Sequence, residues 1–183
     1  MNTWTTLEAL CSNLAIHYHK DSKLYGGLPY FTHCNAVARL AKAKGCKEDI
    51  VGACFLHDTI EDTDATANSL AAGGVPLEVI ALVELVTDPA EGTRKEKKKV
   101  FYSRLRQVED CELRQKATIV KLCDRIINTM QCLISNPGLL EMYRKEYKEF
   151  RTLLYFNPGD NWTLSDLDTI EEDLWSMLEA ISP

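Results

Sequence analysis

The chain has 183 residues, 45% of them hydrophobic and 26% charged, with a formal net charge of −6 and a pI near 5.3. This size and composition predict a single globular domain over residues 1–183, and the acidic balance argues against nucleic acid as a partner, because phosphate backbones bind basic surfaces. The sequence has no apolar run of membrane-spanning length, no secretory signal pattern and no CxxC pair among its seven cysteines, so we expect a cytoplasmic protein with reduced thiols and no membrane contact.

Apolar residues recur at helical spacing through almost the whole chain, and no segment alternates as a β-strand does. A loop is predicted at 21–30, where glycine and proline interrupt the pattern, and Thr32 is the expected N-cap of the helix after it. A turn at 157–159 and a capping box of Ser165 and Asp168 are predicted before the last helix. The sequence therefore predicts an all-α fold, with helices over about 4–19, 32–44, 48–57, 76–87, 94–108, 112–134, 139–156 and 166–181.

The end of the third predicted helix carries the densest group of polar side chains. An adjacent pair, His57 and Asp58, follows an apolar stretch, and Glu61 and Asp62 come within the next turn. On a helix these residues form two i,i+4 pairs, so three carboxylates and an imidazole crowd one side. Such groups repel one another unless a cation lies between them, and histidine with carboxylates suits Mn, Fe or Zn.

A metal needs more ligands than one His-Asp pair supplies. His33 lies upstream and Asp124 lies far downstream, in an otherwise apolar helix. Taken alone, His33 is better explained as a hydrogen-bonded core histidine, and Asp124 as the partner of Arg125 in an ion pair. A carboxylate in so apolar a helix must be paired, either with Arg125 or with a metal.

One basic run, at 94–99, contains Arg94 and Lys95. Most such runs are solvated helix faces. If the acidic metal site acts on an anionic substrate, however, it needs compensating positive charge, and this run is the main block of it. Lys121, one turn before Asp124, is either a surface lysine or a further contact of such a substrate.

Four sequence blocks carry a family resemblance. They are PYFTH at 29–33, FLHDTIEDT at 55–63, VTD at 86–88 and KLCDRIINT at 121–129. With them the chain resembles the HD-domain phosphohydrolases, and within these the hydrolase domain of RelA/SpoT alarmone enzymes and their small stand-alone relatives, including the metazoan SpoT homologues. The matching blocks cover about residues 17–135, and the resemblance implies a compact HD-domain helical bundle. We expect the helices at about 139–181 to pack on it.

The resemblance also implies roles for single residues. It makes Glu61 and Asp62 the groups that activate and orient the attacking water, and Asn128, otherwise a helix-surface amide, a substrate contact. The implied reaction is hydrolysis of the 3′-pyrophosphate ester of guanosine tetra- or pentaphosphate, the nucleotides of the stringent response. The implied ligands of one Mn²⁺, or another divalent transition metal, are His33, His57, Asp58 and Asp124.

The chain departs from the family before the first block. The Arg-Lys pair usual there, nine and eight residues ahead of the first histidine ligand, is replaced by Leu24 and Tyr25. Tyr25 could stack on a base, and the neighbouring Lys23 could supply charge. The residues expected to bind substrate are Lys23, Tyr25, Arg94, Lys95, Lys121 and Asn128.

Three functions follow as alternatives, all with a small nucleotide as partner. The first is a (p)ppGpp 3′-pyrophosphohydrolase. The second is a metal-dependent phosphatase of another nucleotide, such as NADPH or a nucleoside monophosphate, which the change at Leu24 and Tyr25 favours. The third is a non-catalytic nucleotide-binding module, against which the presence of Glu61 and Asp62 argues.

Overall fold

The computed structural model describes residues 3–155 and 166–181, and the elements it contains in these ranges are helices. They are α1 Thr6–Tyr18, α2 Phe31–Ala43, α3 Glu48–Leu56, α4 Thr59–Asp62, α5 Ala67–Ala72, α6 Leu77–Val86, α7 Arg94–Arg106, α8 Cys111–Ser135, α9 Pro137–Leu154 and α10 Asp166–Ile181. The predicted all-α fold is confirmed. None of these helices is long and apolar enough to cross a membrane. The turn predicted at 157–159 and the capping role of Ser165 lie outside the described residues.

Two predicted helix starts were wrong. Helix α2 begins at Phe31 rather than after Thr32, because the Thr32 hydroxyl donates a hydrogen bond back to the Pro29 carbonyl oxygen, 2.8 Å away, and caps nothing. Helix α9 begins at Pro137, two residues before the predicted start. Proline fits the first turn of a helix, where its missing N–H costs nothing, and the Asn136 side chain accepts a hydrogen bond from the Leu139 N–H at 3.0 Å.

The short helices α4 and α5 were not predicted, because four and six residues are too few to show a helical period. Helix α3 ends at Leu56, so His57 and Asp58 lie at the junction of α3 and α4 rather than within one helix. The Asp62 N–H still donates to the Asp58 carbonyl oxygen at 2.9 Å. The junction therefore directs His57 and Asp58 toward the interior and keeps Glu61 and Asp62 close to them.

Helix α3 is the centre of the core. Every residue from Ile50 to Leu56 is buried, as expected for a helix that is apolar on all sides. It packs against α1, α2, α6 and α8. Because α3 runs through the interior, the residues at its C-terminal end are delivered to a buried position between α2 and α8.

Helix α10 packs on α8. Leu174, Trp175 and Leu178 on α10 are buried, and Glu171 accepts hydrogen bonds from Trp175 Nε1 at 3.0 Å and from Gln115 Nε2 of α8 at 3.1 Å. We propose that α10 belongs to the same cooperative domain as the helices that precede it.

Trp175→Ala should lower the free energy of unfolding of the whole protein by about 3–5 kcal/mol, because it removes a fully buried indole and leaves a cavity. Urea unfolding followed by circular dichroism measures this change. Ser176→Ala, at an exposed neighbouring position of the same helix, should stay within about 0.5 kcal/mol. If the main unfolding transition of Trp175→Ala is unchanged and only a small early transition shifts, α10 is not part of the same cooperative unit.

Candidate metal centre and catalytic cavity

The four predicted ligands converge on one point. His33 comes from α2, His57 and Asp58 from the α3–α4 junction, and Asp124 from the middle of α8. The two Nε2 atoms are 3.3 Å apart. His33 Nε2 lies 3.6 Å from Asp58 Oδ2 and 3.2 Å from Asp124 Oδ1, and His57 Nε2 lies 3.0 Å and 3.6 Å from the same two oxygens. Residues far apart in the sequence thus form one cluster.

The donor set of this cluster fits a divalent metal. His57 Nδ1 donates to the Cys54 carbonyl oxygen at 2.9 Å, so Nε2 is the nitrogen that faces Asp58 and Asp124. A carbonyl oxygen that accepts from Nδ1 is the usual support of a metal-binding histidine, because it directs Nε2 toward the ion. Geometry alone groups His33, His57 and Asp58 as a possible metal site, and Asp124 adds a second carboxylate.

The pKa shifts indicate that positive charge belongs at this point. Burial disfavours the imidazolium form of His57, but Asp58 and Asp124 outweigh this cost and hold its pKa well above the usual value. Burial likewise disfavours the carboxylate of Asp124, yet the hydrogen bonds and charges of His33 and His57 lower its pKa. Despite desolvation, His57 and His33 likewise hold the pKa of Asp58 well below its usual value, so both carboxylates favour the ionised form, which suits a cation held between them.

Polar side chains behind the cluster hold its carboxylates in place. The Tyr30 hydroxyl donates to Asp58 Oδ2 at 2.6 Å, and Asn128 Nδ2 donates to Asp124 Oδ1 at 2.5 Å. Tyr30 was missed as a site residue, although its place in PYFTH, three residues before His33, was a usable signal. His19 stacks on the Tyr30 ring with centroids 4.8 Å apart.

Tyr25, which replaces a basic residue of the family pattern, lies against the site. Its ring centroid is 4.6 Å from that of His33, and its hydroxyl donates to Asn128 Oδ1 at 2.9 Å. A tight turn positions Tyr25, because Tyr25 and Leu28 exchange backbone hydrogen bonds. Gly26 and Gly27 within this turn have φ angles of 57° and 85°, values that residues other than glycine rarely adopt. Tyr25 thus fixes the orientation of the Asn128 amide.

A cavity of about 200 Å³, the candidate catalytic cavity, opens beside the cluster. Glu61 and Asp62 lie on its rim, and Glu61 Oε2 accepts a hydrogen bond from the Asp88 N–H at 3.1 Å. Desolvation raises the pKa of both carboxyls. Among the residues predicted to bind substrate, Arg94, Lys121 and Asn128 line this cavity, whereas Lys95 lines a neighbouring one and Lys23 is exposed and lines neither.

Glu146 organises the positive charge in the cavity wall, and the sequence did not reveal this. Arg94 Nε and Nη2 each lie 3.1 Å from its carboxylate oxygens, Arg125 Nη1 lies 3.4 Å away, and Lys98 Nζ also donates to it. The alternative ion pair between Asp124 and Arg125 is therefore not the one formed. Arg125 is buried, with its guanidinium 4.4 Å from the ring centroids of Tyr143 and Phe150. These contacts hold three cations beside the catalytic cavity.

Comparisons with known proteins agree with this architecture. A sequence model of the HD domain family matches residues 11–146. The guanosine-3′,5′-bis(diphosphate) 3′-pyrophosphohydrolase MESH1 of Mus musculus is 32% identical over 145 residues, covering 76% of this chain and 77% of that protein. The putative GTP diphosphokinase RSH1 of Oryza sativa is 28% identical over 91% of this chain, but the chain spans only 21% of its length.

The fold also matches a solved structure. A metazoan orthologue of SpoT that hydrolyses ppGpp superposes with a TM-score of 0.70, covering 96% of this chain and 97% of that one at 20% sequence identity. At that identity the match establishes the shared helical fold alone. The geometry of the His-Asp cluster is a separate observation on this chain.

Proposed function

Given that the chain belongs to the HD domain family, we propose that it is a metal-dependent hydrolase of a phosphorylated nucleotide, and specifically a guanosine 3′,5′-bis(diphosphate) 3′-pyrophosphohydrolase. The observation that carries this proposal is the placement of three groups around one cavity. Asp58 and Asp124 of the His-Asp cluster line it, the carboxylates Glu61 and Asp62 line it outside that cluster, and the cations Arg94, Lys98, Lys121 and Arg125 complete the lining. The similarity to MESH1 supports the choice of substrate.

We propose His33, His57, Asp58 and Asp124 as the residues that would hold the metal, with Mn²⁺ as the expected ion. When bound, a divalent ion of this kind lowers the pKa of water and polarises a phosphoryl oxygen. Tyr30 and Asn128 keep the two carboxylates oriented toward the centre through the hydrogen bonds described above. This support matters because misdirected ligands weaken a metal site by about 10–100-fold.

The remaining cavity residues divide the chemistry between them. Glu61 and Asp62 would take the proton of the attacking water, and their raised pKa values bring them closer to the range in which a general base works best. Water attacks the phosphorus bonded to the 3′ oxygen, that P–O bond breaks, and the 3′ oxygen takes up a proton as pyrophosphate is released. Arg94, Lys98 and Lys121 would balance the charge of the phosphate oxygens.

The cysteines support our proposal of a cytoplasmic location. All seven are free thiols, and six of them are buried. A reduced intracellular compartment keeps such thiols unpaired.

The loop at Leu24 and Tyr25 favours a second substrate class, which is therefore tested beside ppGpp. Leu24 is 67% exposed, and Tyr25 uses its hydroxyl on Asn128, so this loop offers no cation to the phosphates of a guanosine nucleotide except the exposed Lys23. A phosphatase of NADPH or of a nucleoside monophosphate is the alternative that this loop favours.

The purified protein with Mn²⁺ should convert ppGpp to GDP and pyrophosphate, and a chelator should stop the reaction. Chromatography of the nucleotides measures the products, and NADPH, a 3′-nucleotide and a 5′-nucleotide are tested beside ppGpp. If ppGpp stays intact while one of these loses phosphate, the second function is correct. If none is turned over with any divalent metal, the chain is a binding module.

A further inference from the structure

A second cavity, of about 780 Å³, lies between α7 and α9. Arg94, Lys98 and Tyr102 line both this cavity and the catalytic one, so the two cavities adjoin. The catalytic cavity, at about 200 Å³, is smaller than the roughly 300–1,000 Å³ that small-molecule sites occupy. A nucleotide bound with one phosphate group at the His-Asp cluster must therefore extend beyond it, and the second cavity is the adjoining space.

Cations line the floor of the second cavity in a stripe along α7. Lys95, Lys99 and Arg106 occupy positions four and seven residues apart, which places them on one face of the helix. From Lys95 to Arg106 the stripe runs about 16 Å. All three side chains are exposed, and the Tyr102 ring lies among them.

These cations are not neutralised by the protein. Of the two carboxylates in the cavity wall, Glu146 is already shared by Arg94, Lys98 and Arg125, which leaves Glu149. Within residues 3–155 and 166–181, Lys95 and Lys99 form no ion pair with a carboxylate, in contrast to Arg94 and Lys98. In a chain whose net charge is −6, this is a local excess of positive charge beside a proposed phosphate site.

We propose that this second cavity binds the phosphate group at the far end of the substrate, so that the protein selects nucleotides phosphorylated at two positions. This inference rests on the proposed function: with the 3′ group at the His-Asp cluster, the 5′-diphosphate lies along Lys95 and Lys99. The nucleoside lies between the two sites, near the Tyr102 ring. Lys95 and Lys99 on α7 thereby supply positive charge to the phosphates, which the loop at Leu24 and Tyr25 does not.

The test compares ppGpp with guanosine 3′-diphosphate, which lacks the 5′ phosphates. Dissociation constants are measured by calorimetry with the metal chelated, so that neither ligand is cleaved, and KM is measured with Mn²⁺. The double variant Lys95→Gln with Lys99→Gln removes two cations from the stripe. The matched control, Lys97→Gln with Lys148→Gln, also removes two cations, one from α7 and one from α9, at positions that line neither cavity.

The stripe variant should weaken ppGpp binding about 30-fold at low salt, since two solvent-exposed charge contacts contribute about 1 kcal/mol each. The effect should shrink as salt is raised. Guanosine 3′-diphosphate should bind the stripe variant and the native protein alike, and the control should bind both ligands as the native protein does.

Three outcomes overturn the inference: an equal loss for both ligands, no loss for either, or a native protein that does not discriminate between them. Its failure is distinguishable from failure of the proposed function. A native protein that binds ppGpp through the stripe but does not cleave it refutes the function and leaves the inference standing. If the native protein cleaves ppGpp and the stripe variant has the same KM, the proposed function stands and the inference about the second cavity is refuted.

Discussion

Asp124→Asn should leave the protein folded but remove its divalent metal and lower hydrolysis about 1,000-fold or more. The amide keeps the shape of the carboxylate and its contact with Asn128, but it removes one of the two negative charges that face His33 and His57. A metal that stabilises developing charge contributes several kcal/mol to the transition state. Elemental analysis gives the metal content, and turnover of ppGpp with excess Mn²⁺ gives the rate.

The matched control for this variant is Asp49→Asn. Asp49 is also partly buried and ion-paired, with Lys116 Nζ at 2.8 Å, but it lies outside the catalytic cavity. It should keep both metal and activity. A full complement of metal in Asp124→Asn would remove Asp124 from the proposed ligand set.

Glu61→Gln should keep the metal and yet lower kcat by about 10²–10⁴-fold, the usual contribution of a general base. Glu61 lies on the cavity rim rather than in the His-Asp cluster, and its carboxylate is held by the Asp88 N–H. The amide preserves this hydrogen bond but cannot take a proton from water. Metal content and kcat, measured on the same preparation, separate ligand loss from base loss.

The control is Glu84→Gln, because Glu84 is an exposed carboxylate on α6 that lines no part of the catalytic cavity. Its metal content and kcat should match those of the native protein. Near-normal turnover in Glu61→Gln would show that this residue does not handle the water. Asp62→Asn would then test the other rim carboxylate in the same assay.

Local patterns in the sequence were sufficient to predict the helical fold and to single out the polar group at His57 and Asp58 and the carboxylate of Asp124. Helical periodicity depends on neighbouring residues, and a carboxylate in an apolar helix must be paired wherever the helix packs. The family resemblance then supplied the partners. The errors were also local. The Thr32 hydroxyl donates to a carbonyl oxygen instead of accepting a hydrogen bond as a helix cap, and α4 and α5 are too short to show a helical period.

The sequence by itself therefore determined the elements and the kinds of side chain that meet at the centre. Only the tertiary structure decided which charges remain available around it. Glu146 binds Arg94, Lys98 and Arg125, Tyr25 binds Asn128, and Lys95 and Lys99 are left facing a second cavity. Each of these outcomes depends on how two helices, or a loop and a helix, lie against each other. Spacing along one helix sets which residues share a face, but the packing of helices sets what that face meets.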